Sequence, residues 1–157
     1  MNALITFGCS WTKGQFSWYD PNISKHTQMS VKEMQKNNSQ EVDDYCFRTL
    51  LSRRHDYVNI NFAEGGSSNQ KQFRLAEEYF NTDDYKKYDN IIILWGITST
   101  ARLDVWSNKK NRYVNFHLTK LPNLQWATDH YNHDTELSRL STQMQHWDNY
   151  FEMIGVK

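Results

Sequence analysis

Residues 89–96 read Asp-Asn-Ile-Ile-Ile-Leu-Trp-Gly. The unbroken apolar run from Ile91 to Trp95 is the pattern of a strand covered on both faces, because an alternating polar face is missing. Working back from it, Phe73, Ala76 and Phe80 recur at helical spacing and predict a helix over about 68–81. Ser67 or Ser68 is placed to cap that helix. The segment Tyr57-Val58-Asn59-Ile60-Asn61-Phe62 alternates and carries β-branched residues, which predicts a strand. Between them, Ala63 to Asn69 holds Gly65-Gly66 and two serines, and reads as a turn.

Further back, Val42, Tyr45, Cys46, Leu50 and Leu51 recur at helical spacing, which makes 42–54 an amphipathic helix with Ser39 or Asp43 as cap. Ala3-Leu4-Ile5-Thr6-Phe7 is a short buried strand ended by Gly8. The polar stretch from Lys13 to Gln40 is a long excursion, with a short helix expected near Ser30 to Gln35. Strand, helix, strand, helix, strand is the order of an α/β fold, a parallel sheet covered by helices.

Forward of the deciding run, residues 96–134 show little periodicity. Leu137, Leu140, Met144, Trp147, Phe151 and Ile154 then step by three and four, a final helix with a core-facing stripe. Asp134 is the expected cap, Glu136 suits the first turn, and Gly155 is the expected stop. An apolar strand at 91–95 belongs at the centre of a sheet. The first two strands supply one flank, and the other calls for a strand after the last helix, where the sequence reads Val156-Lys157. A crossover helix with no strand to deliver is unusual. The expectation is therefore a single domain over 1–157 that is the N-terminal part of a longer one; a compact three-strand fold filled in by aromatic loops is the alternative.

The 157 residues suit one domain, since a chain of that size buries roughly 68–70% of its unfolded surface. Lys plus Arg and Asp plus Glu both number 18, so the basic face that phosphate binding needs is not expected, and neither is a nucleic-acid partner. No stretch approaches 18 apolar residues, which argues against a membrane span. The N-terminus has no basic segment, and its apolar run is too short for a secretory signal. Two cysteines, Cys9 and Cys46, make no disulfide framework, so a reducing compartment, the cytoplasm, is expected.

In sheets of this kind function collects at the carboxyl ends of the strands. Three turns lie there: Gly8-Cys9-Ser10-Trp11-Thr12, Asn61 to Asn69, and Trp95-Gly96-Ile97-Thr98-Ser99-Thr100-Ala101-Arg102. Together they resemble the ordered blocks of the SGNH/GDSL hydrolases. Ser10 stands at the nucleophile position of the Gly-Asp-Ser block, Gly66 at the glycine of the second block, and Thr98 where the third block has asparagine. The Gly-Cys-Ser opening is similar to the small SGNH-like proteins of phage and marine sequences, whose place would be the host cytoplasm. The resemblance spans about residues 1–102.

It implies a three-layer α/β/α, flavodoxin-like sheet and an acyl transfer reaction without cofactor or metal. Ser10 would attack an ester carbonyl once a base takes its proton. The backbone N–H groups of Ser10 and Gly66, with Thr98 in place of the asparagine amide, would hold the oxyanion. Losing one such donor costs about 3–4 kcal/mol of transition-state stabilisation, so threonine there matters. Trp11, Asn69, Trp95 and Arg102 are the expected substrate contacts. The late Asp-x-x-His block that carries the family's base has no counterpart here; Asp129 and His133 have a different spacing, and His146 lies within the last helix.

Other readings compete at several positions. Ser10 also fits a plain turn residue, and Gly65-Gly66 a tight turn with positive φ. Cys9 reads as a packed small residue, and His130 with His133 as a solvated pair rather than a metal site. Arg102 either pairs with a neighbour such as Asp104 or holds an anionic substrate group. Trp18, Trp106 and Trp126 either cover the core edge or stack on a sugar ring. The resemblance thus implies an esterase, with a carbohydrate O-acetyl esterase as the expected member and a non-catalytic accessory or glycan-binding module of the same scaffold as the rival. A nucleotide-binding sheet is the third reading, and the absence of a GxGxxG or P-loop motif counts against it.

Overall fold

The structure is a computed structural model that describes residues 1–13, 46–118 and 131–156. Strand β1 (Asn2–Gly8) is followed by a single helical turn, α1 (Ser10–Lys13), and, within the next described segment, by helix α2 (Phe47–His55). Strand β2 (Tyr57–Asn61), helix α3 (Asn69–Phe80), a 3-10 turn (Asp84–Lys87) and strand β3 (Asn90–Gly96) come next. Two further strands, β4 (Arg102–Ser107) and β5 (Arg112–His117), form an antiparallel hairpin, and helix α4 spans His133–Ile154.

The first three strands pair in parallel in the order β2-β1-β3, so the chain is a mixed α/β protein. Strand β1, not β3, is central, and every residue from Ala3 to Gly8 is buried. The 91–95 run has the first two strands on one flank, as expected, and the strand expected on its other flank is not among the described residues. Strand β3 borders the sheet among the described residues, and Ile92 is 39% exposed. Side-chain polarity reports what covers the two faces of a strand, while the in-plane neighbours are held by backbone groups common to all residues.

The two faces follow from the alternation of β1. Ala3, Ile5 and Phe7 join one core with Ile91, Ala76 and Phe80, against which Ile60, Ile93, Trp95, Trp147, Phe151 and Ile154 pack, so α3 and α4 lie on that side. Leu4 and Thr6 point the other way, toward α2, where the Asn59 amide donates to Thr49 Oγ1 at 2.9 Å. The α3/α4 side is dominated by rings: Trp95 lies 5.1 Å from Phe7, 5.0 Å from Phe73 and 5.6 Å from Trp147, centroid to centroid. Burial there pushes the Tyr79 phenol up to about 12, and its hydroxyl is buried with no hydrogen-bond partner among the described residues. The Tyr150 phenol is raised as well, again chiefly by burial.

Helix ends follow the local chemistry closely. Ser68 caps α3 by accepting from Lys71 N–H at 3.1 Å. Asn132, rather than the expected Asp134, caps α4 by accepting from Thr135 N–H at 2.9 Å. Gly155 ends α4 at φ +75°, and Val156 N–H reaches back to the Phe151 carbonyl at 2.8 Å, which seats Val156 in the core. Helix α2 departs more. It begins after Cys46, whose side chain makes no cap hydrogen bond, and it buries Arg48 and Ser52 while Leu50 and Leu51 stay exposed. Its sheet-facing side meets the polar Asn59, so the apolar spacing did not identify the buried face. The expected caps Ser39 and Asp43, and the helix near 30–35, lie outside the described residues.

The β4–β5 hairpin replaces the unperiodic stretch. Leu103 opposes Phe116 and Val105 opposes Val114 on one face; Asp104 opposes Asn115 and Trp106 opposes Tyr113 on the other. The second face packs on α3 through Arg74. Its guanidinium donates to Asp104 Oδ2 at 2.9 Å and lies 4.8 Å over the Tyr113 ring, and the Asp104 hydrogen bond raises its pKa above the ordinary value. Asp104 therefore pairs with Arg74 and not with Arg102.

Candidate functional site

The three turns expected to carry chemistry do sit at one end of the sheet. Strand β1 ends at Gly8, Cys9 is buried, and Ser10 opens α1, whose turn is closed by Lys13 N–H donating to the Cys9 carbonyl at 2.9 Å. Trp11 follows Ser10 in that turn. The second turn is tied to the first by Phe62 N–H to the Thr6 carbonyl at 2.8 Å and Glu64 N–H to the Gly8 carbonyl at 3.0 Å.

Connections from β1 lead first to β2 on one side, then to β3 on the other, so the crevice beside β1 is the switch point of the sheet. There Gly8 and Gly96 are direct neighbours in register. The side chain of Thr12, 5% exposed, fills the space that these two glycines leave. A Cβ at Gly8 would stand 2.1 Å from Thr12 Oγ1, and a Cβ at Gly96 would stand 1.8 Å from it. The glycines are therefore fixed by close approach, and Thr12 locks α1, with Ser10 at its start, onto the sheet. Arg48 on α2 adds a second tie, donating to the Lys13 carbonyl at 3.3 Å.

Gly66 is exposed, adopts φ +78°, and a Cβ there would meet nothing within 4 Å, so backbone conformation is what calls for glycine. The turn is held from two sides: Ser67 N–H donates to the Glu64 carbonyl at 3.1 Å, and the Asn115 side chain of β5 donates to the Gly66 carbonyl.

Asn69, 4% exposed, is placed differently from a substrate contact. Its Nδ2 donates to the Thr98 carbonyl at 2.9 Å, and its Oδ1 accepts from Thr98 N–H at 2.8 Å. The amide is spent on clamping the third turn to the start of α3. Both backbone groups of Thr98 are used in the same clamp, which leaves its hydroxyl as the group the residue can offer. Trp95 points to the α3/α4 side, into the aromatic cluster, whereas α1 lies against the opposite face; the structure does not bring its ring together with Ser10. Arg102 begins β4; its N–H donates to the Ser99 carbonyl at 3.1 Å, and Nη1 is buried with no hydrogen-bond partner among the described residues.

Beyond Thr98 the same loop joins α4. Thr100 Oγ1 lies 2.6 Å from the Tyr131 hydroxyl and 3.1 Å from His133 Nδ1, and the Tyr131 hydroxyl lies 3.2 Å from the same nitrogen. His133 is the first residue of α4, so this cluster pins the helix start to the end of the sheet where the three turns lie. His130, Asp129 and Trp126 lie outside the described residues. Sequence reading did not single out Thr12, Asn115 or the Thr100–Tyr131–His133 cluster. For Thr12 a signal existed in the glycines ending two strands, Gly8 and Gly96; for the others the partners are distant in sequence.

Compared with known proteins, the chain matches no family model, and no curated protein and no solved structure is significantly similar to it.

Proposed function

We propose that the chain is a serine-hydrolase scaffold of the SGNH/GDSL type, built on a three-layer, flavodoxin-like sheet, in which Ser10 attacks an ester carbonyl. The observation that carries this reading is positional. Three turns, led by Ser10, Gly66 and Thr98, follow β1, β2 and β3 in chain order and are cross-tied at one end of the sheet. Ser10 opens a turn that Thr12 seats at the β1/β3 crevice. In the reaction, the Ser10 hydroxyl adds to the carbonyl as a base removes its proton, and the oxyanion gathers at the N–H groups of Ser10 and Gly66. Thr98 adds a hydroxyl where an amide would reach further. The substrate class is an ester, with an O-acetyl group on a carbohydrate as the preferred member; no nucleic acid and no membrane partner enters this reading.

The rival is a non-catalytic module on the same scaffold that holds a glycan without cleaving it. One observation favours it: His133 Nδ1 lies among the hydroxyls of Thr100 and Tyr131 rather than on a carboxylate that would orient it as a base. A fluorophosphonate probe separates the two. Labelling that disappears in Ser10→Ala, accompanied by acetate release from O-acetylated sugars, is the expected result. Absence of Ser10-dependent labelling in the folded, full-length protein would refute the hydrolase and leave the binding module.

A further inference from the structure

The third turn leads into β4, and just past β5 Leu118 N–H donates to the Ala101 carbonyl at 3.0 Å, so the base of the β4–β5 hairpin closes beside that turn. Asp104 and Asn115 are directly opposed in the hairpin and share a face. Asp104, its side chain 4% exposed, accepts from the Arg74 guanidinium of α3 at 2.9 Å, and Asn115 donates to the Gly66 carbonyl of the second turn. The second turn itself runs on into α3, which Ser68 caps. Turn, helix and hairpin therefore form a closed circuit. One link is covalent, one is an ion pair on a buried carboxylate, and one is the Asn115 amide.

That amide falls where the turn needs it. Gly65 and Gly66 bring no side chain to pack, and the peptide between them, which carries the Gly66 N–H, turns more freely than one flanked by Cβ atoms. The next peptide is held at both ends: its Ser67 N–H donates to the Glu64 carbonyl at 3.1 Å, and its Gly66 carbonyl accepts from Asn115. The first bond lies within the turn and moves with it. Among the described residues, Asn115 is the only side chain hydrogen-bonded to Gly66, and it ties that glycine to the hairpin, and through Arg74 to α3. We propose, resting on the hydrolase reading in which the Gly66 N–H meets the oxyanion, that the β4–β5 hairpin is a brace that sets this N–H, with Asn115 as the positioning residue and the Arg74–Asp104 pair as its anchor.

Fluorophosphonate labelling of the folded, full-length protein tests this, read as the maximal rate of Ser10 modification and the probe concentration that half-saturates it. Asn115→Ala is expected to lower the maximal rate about three- to tenfold and to leave the half-saturating concentration unchanged, since the brace aligns a donor and does not bind the probe. Asn115→Asp keeps the shape but turns only acceptors toward the Gly66 carbonyl, and should lose as much. Asp104→Asn should slow labelling of the wild type and add little to Asn115→Ala, because both act through one contact. Hydrogen exchange of the Ser67 amide should quicken in Asn115→Ala, while circular dichroism and a thermal melt check that each variant stays folded. Labelling at the wild-type rate in Asn115→Ala or in Asn115→Asp, unchanged Ser67 exchange, or independent losses from Asp104→Asn and Asn115→Ala each overturn the brace and leave the hydrolase reading standing. A wild-type protein that is not labelled at Ser10 overturns that reading itself, and the brace with it.

Discussion

If Thr12 is the plug that seats Ser10, the two glycines beside it should respond to substitution in different, calculable ways. Gly96→Ala places a Cβ 1.8 Å from Thr12 Oγ1, 3.1 Å from its Cβ and 3.4 Å from its Cγ2. The clash is therefore almost wholly with the hydroxyl. Gly8→Ala meets Oγ1 at 2.1 Å, Cβ at 2.3 Å and Cγ2 at 2.7 Å, so there the whole side chain is in the way. Overpacking of this kind costs about 1–3 kcal/mol. Against it stands a gain of about 0.5–1 kcal/mol for replacing glycine by alanine within a strand, since neither glycine needs positive φ. The net expectation for Gly96→Ala is a loss of about 1–2 kcal/mol, which is a fall of about 2–8 °C in melting temperature for a chain of this size.

Thr12→Ala decides the matter. In the Gly96→Ala background it removes Oγ1 and Cγ2 and leaves Cβ at 3.1 Å, a distance that a shift of a few tenths of an ångström relieves. In the Gly8→Ala background it leaves Cβ at 2.3 Å, and the strain remains. A double-mutant cycle by urea denaturation should therefore give a coupling of about 1–3 kcal/mol for Thr12 with Gly96, and a markedly smaller rescue of Gly8→Ala. Equal rescue of both, or no loss on Gly96→Ala alone, would refute the plug and with it the account of how α1 is held.

Two further expectations rest on single side chains. Asn69→Ala removes both hydrogen bonds to the Thr98 backbone and should cost about 1–3 kcal/mol, with faster hydrogen exchange confined to the loop at 97–101; unchanged exchange there would remove the clamp from the argument. Tyr79→Phe deletes a buried hydroxyl that has no partner among the described residues and should leave stability unchanged or higher. Because the Tyr79 phenol is raised to about 12 in the folded protein, its neutral form is favoured there. The stability this contributes is complete below about pH 10, the ordinary phenol value, and is lost as pH rises toward 12. Wild-type stability should therefore fall over that window more steeply than that of Tyr79→Phe, which alkaline denaturation curves can read.

Much of the fold is legible in the sequence where one local rule suffices. The Ala3–Phe7 strand, the Ser68 cap and the Gly155 stop each depend on groups within a few residues, and each is found where the pattern puts it. What is not legible depends on partners far along the chain. The burial of Arg48 and Ser52 on α2 follows from polar groups on the sheet it meets, not from α2's own spacing. The hairpin alternates in short strands, with Leu103 and Val105 on one face of β4 and Val114 and Phe116 on the same face of β5. The polar turn between them, with Asn111 at φ +47°, interrupts any longer period.

The site divides along the same line, and the division bears on chemistry. The turns that hold Ser10, Gly66 and Thr98 could be marked from sequence because each follows a strand end, a local feature; the three residues themselves are singled out by the family resemblance. Their arrangement depends on groups that no local pattern marks: Thr12 between two glycines, Asn115 on Gly66, Asn69 on both backbone groups of Thr98. Asn69 shows the difference most sharply. Read as a polar residue near the site, it is expected to contact substrate; its amide makes one donated and one accepted hydrogen bond to Thr98, which fixes the third turn at the level of its backbone. The turn's position therefore does not depend on the Thr98 side chain. Replacing Thr98 by asparagine would change the donor offered to an oxyanion without disturbing what holds the loop, so a gain in Ser10 reactivity in Thr98→Asn would report on that donor alone.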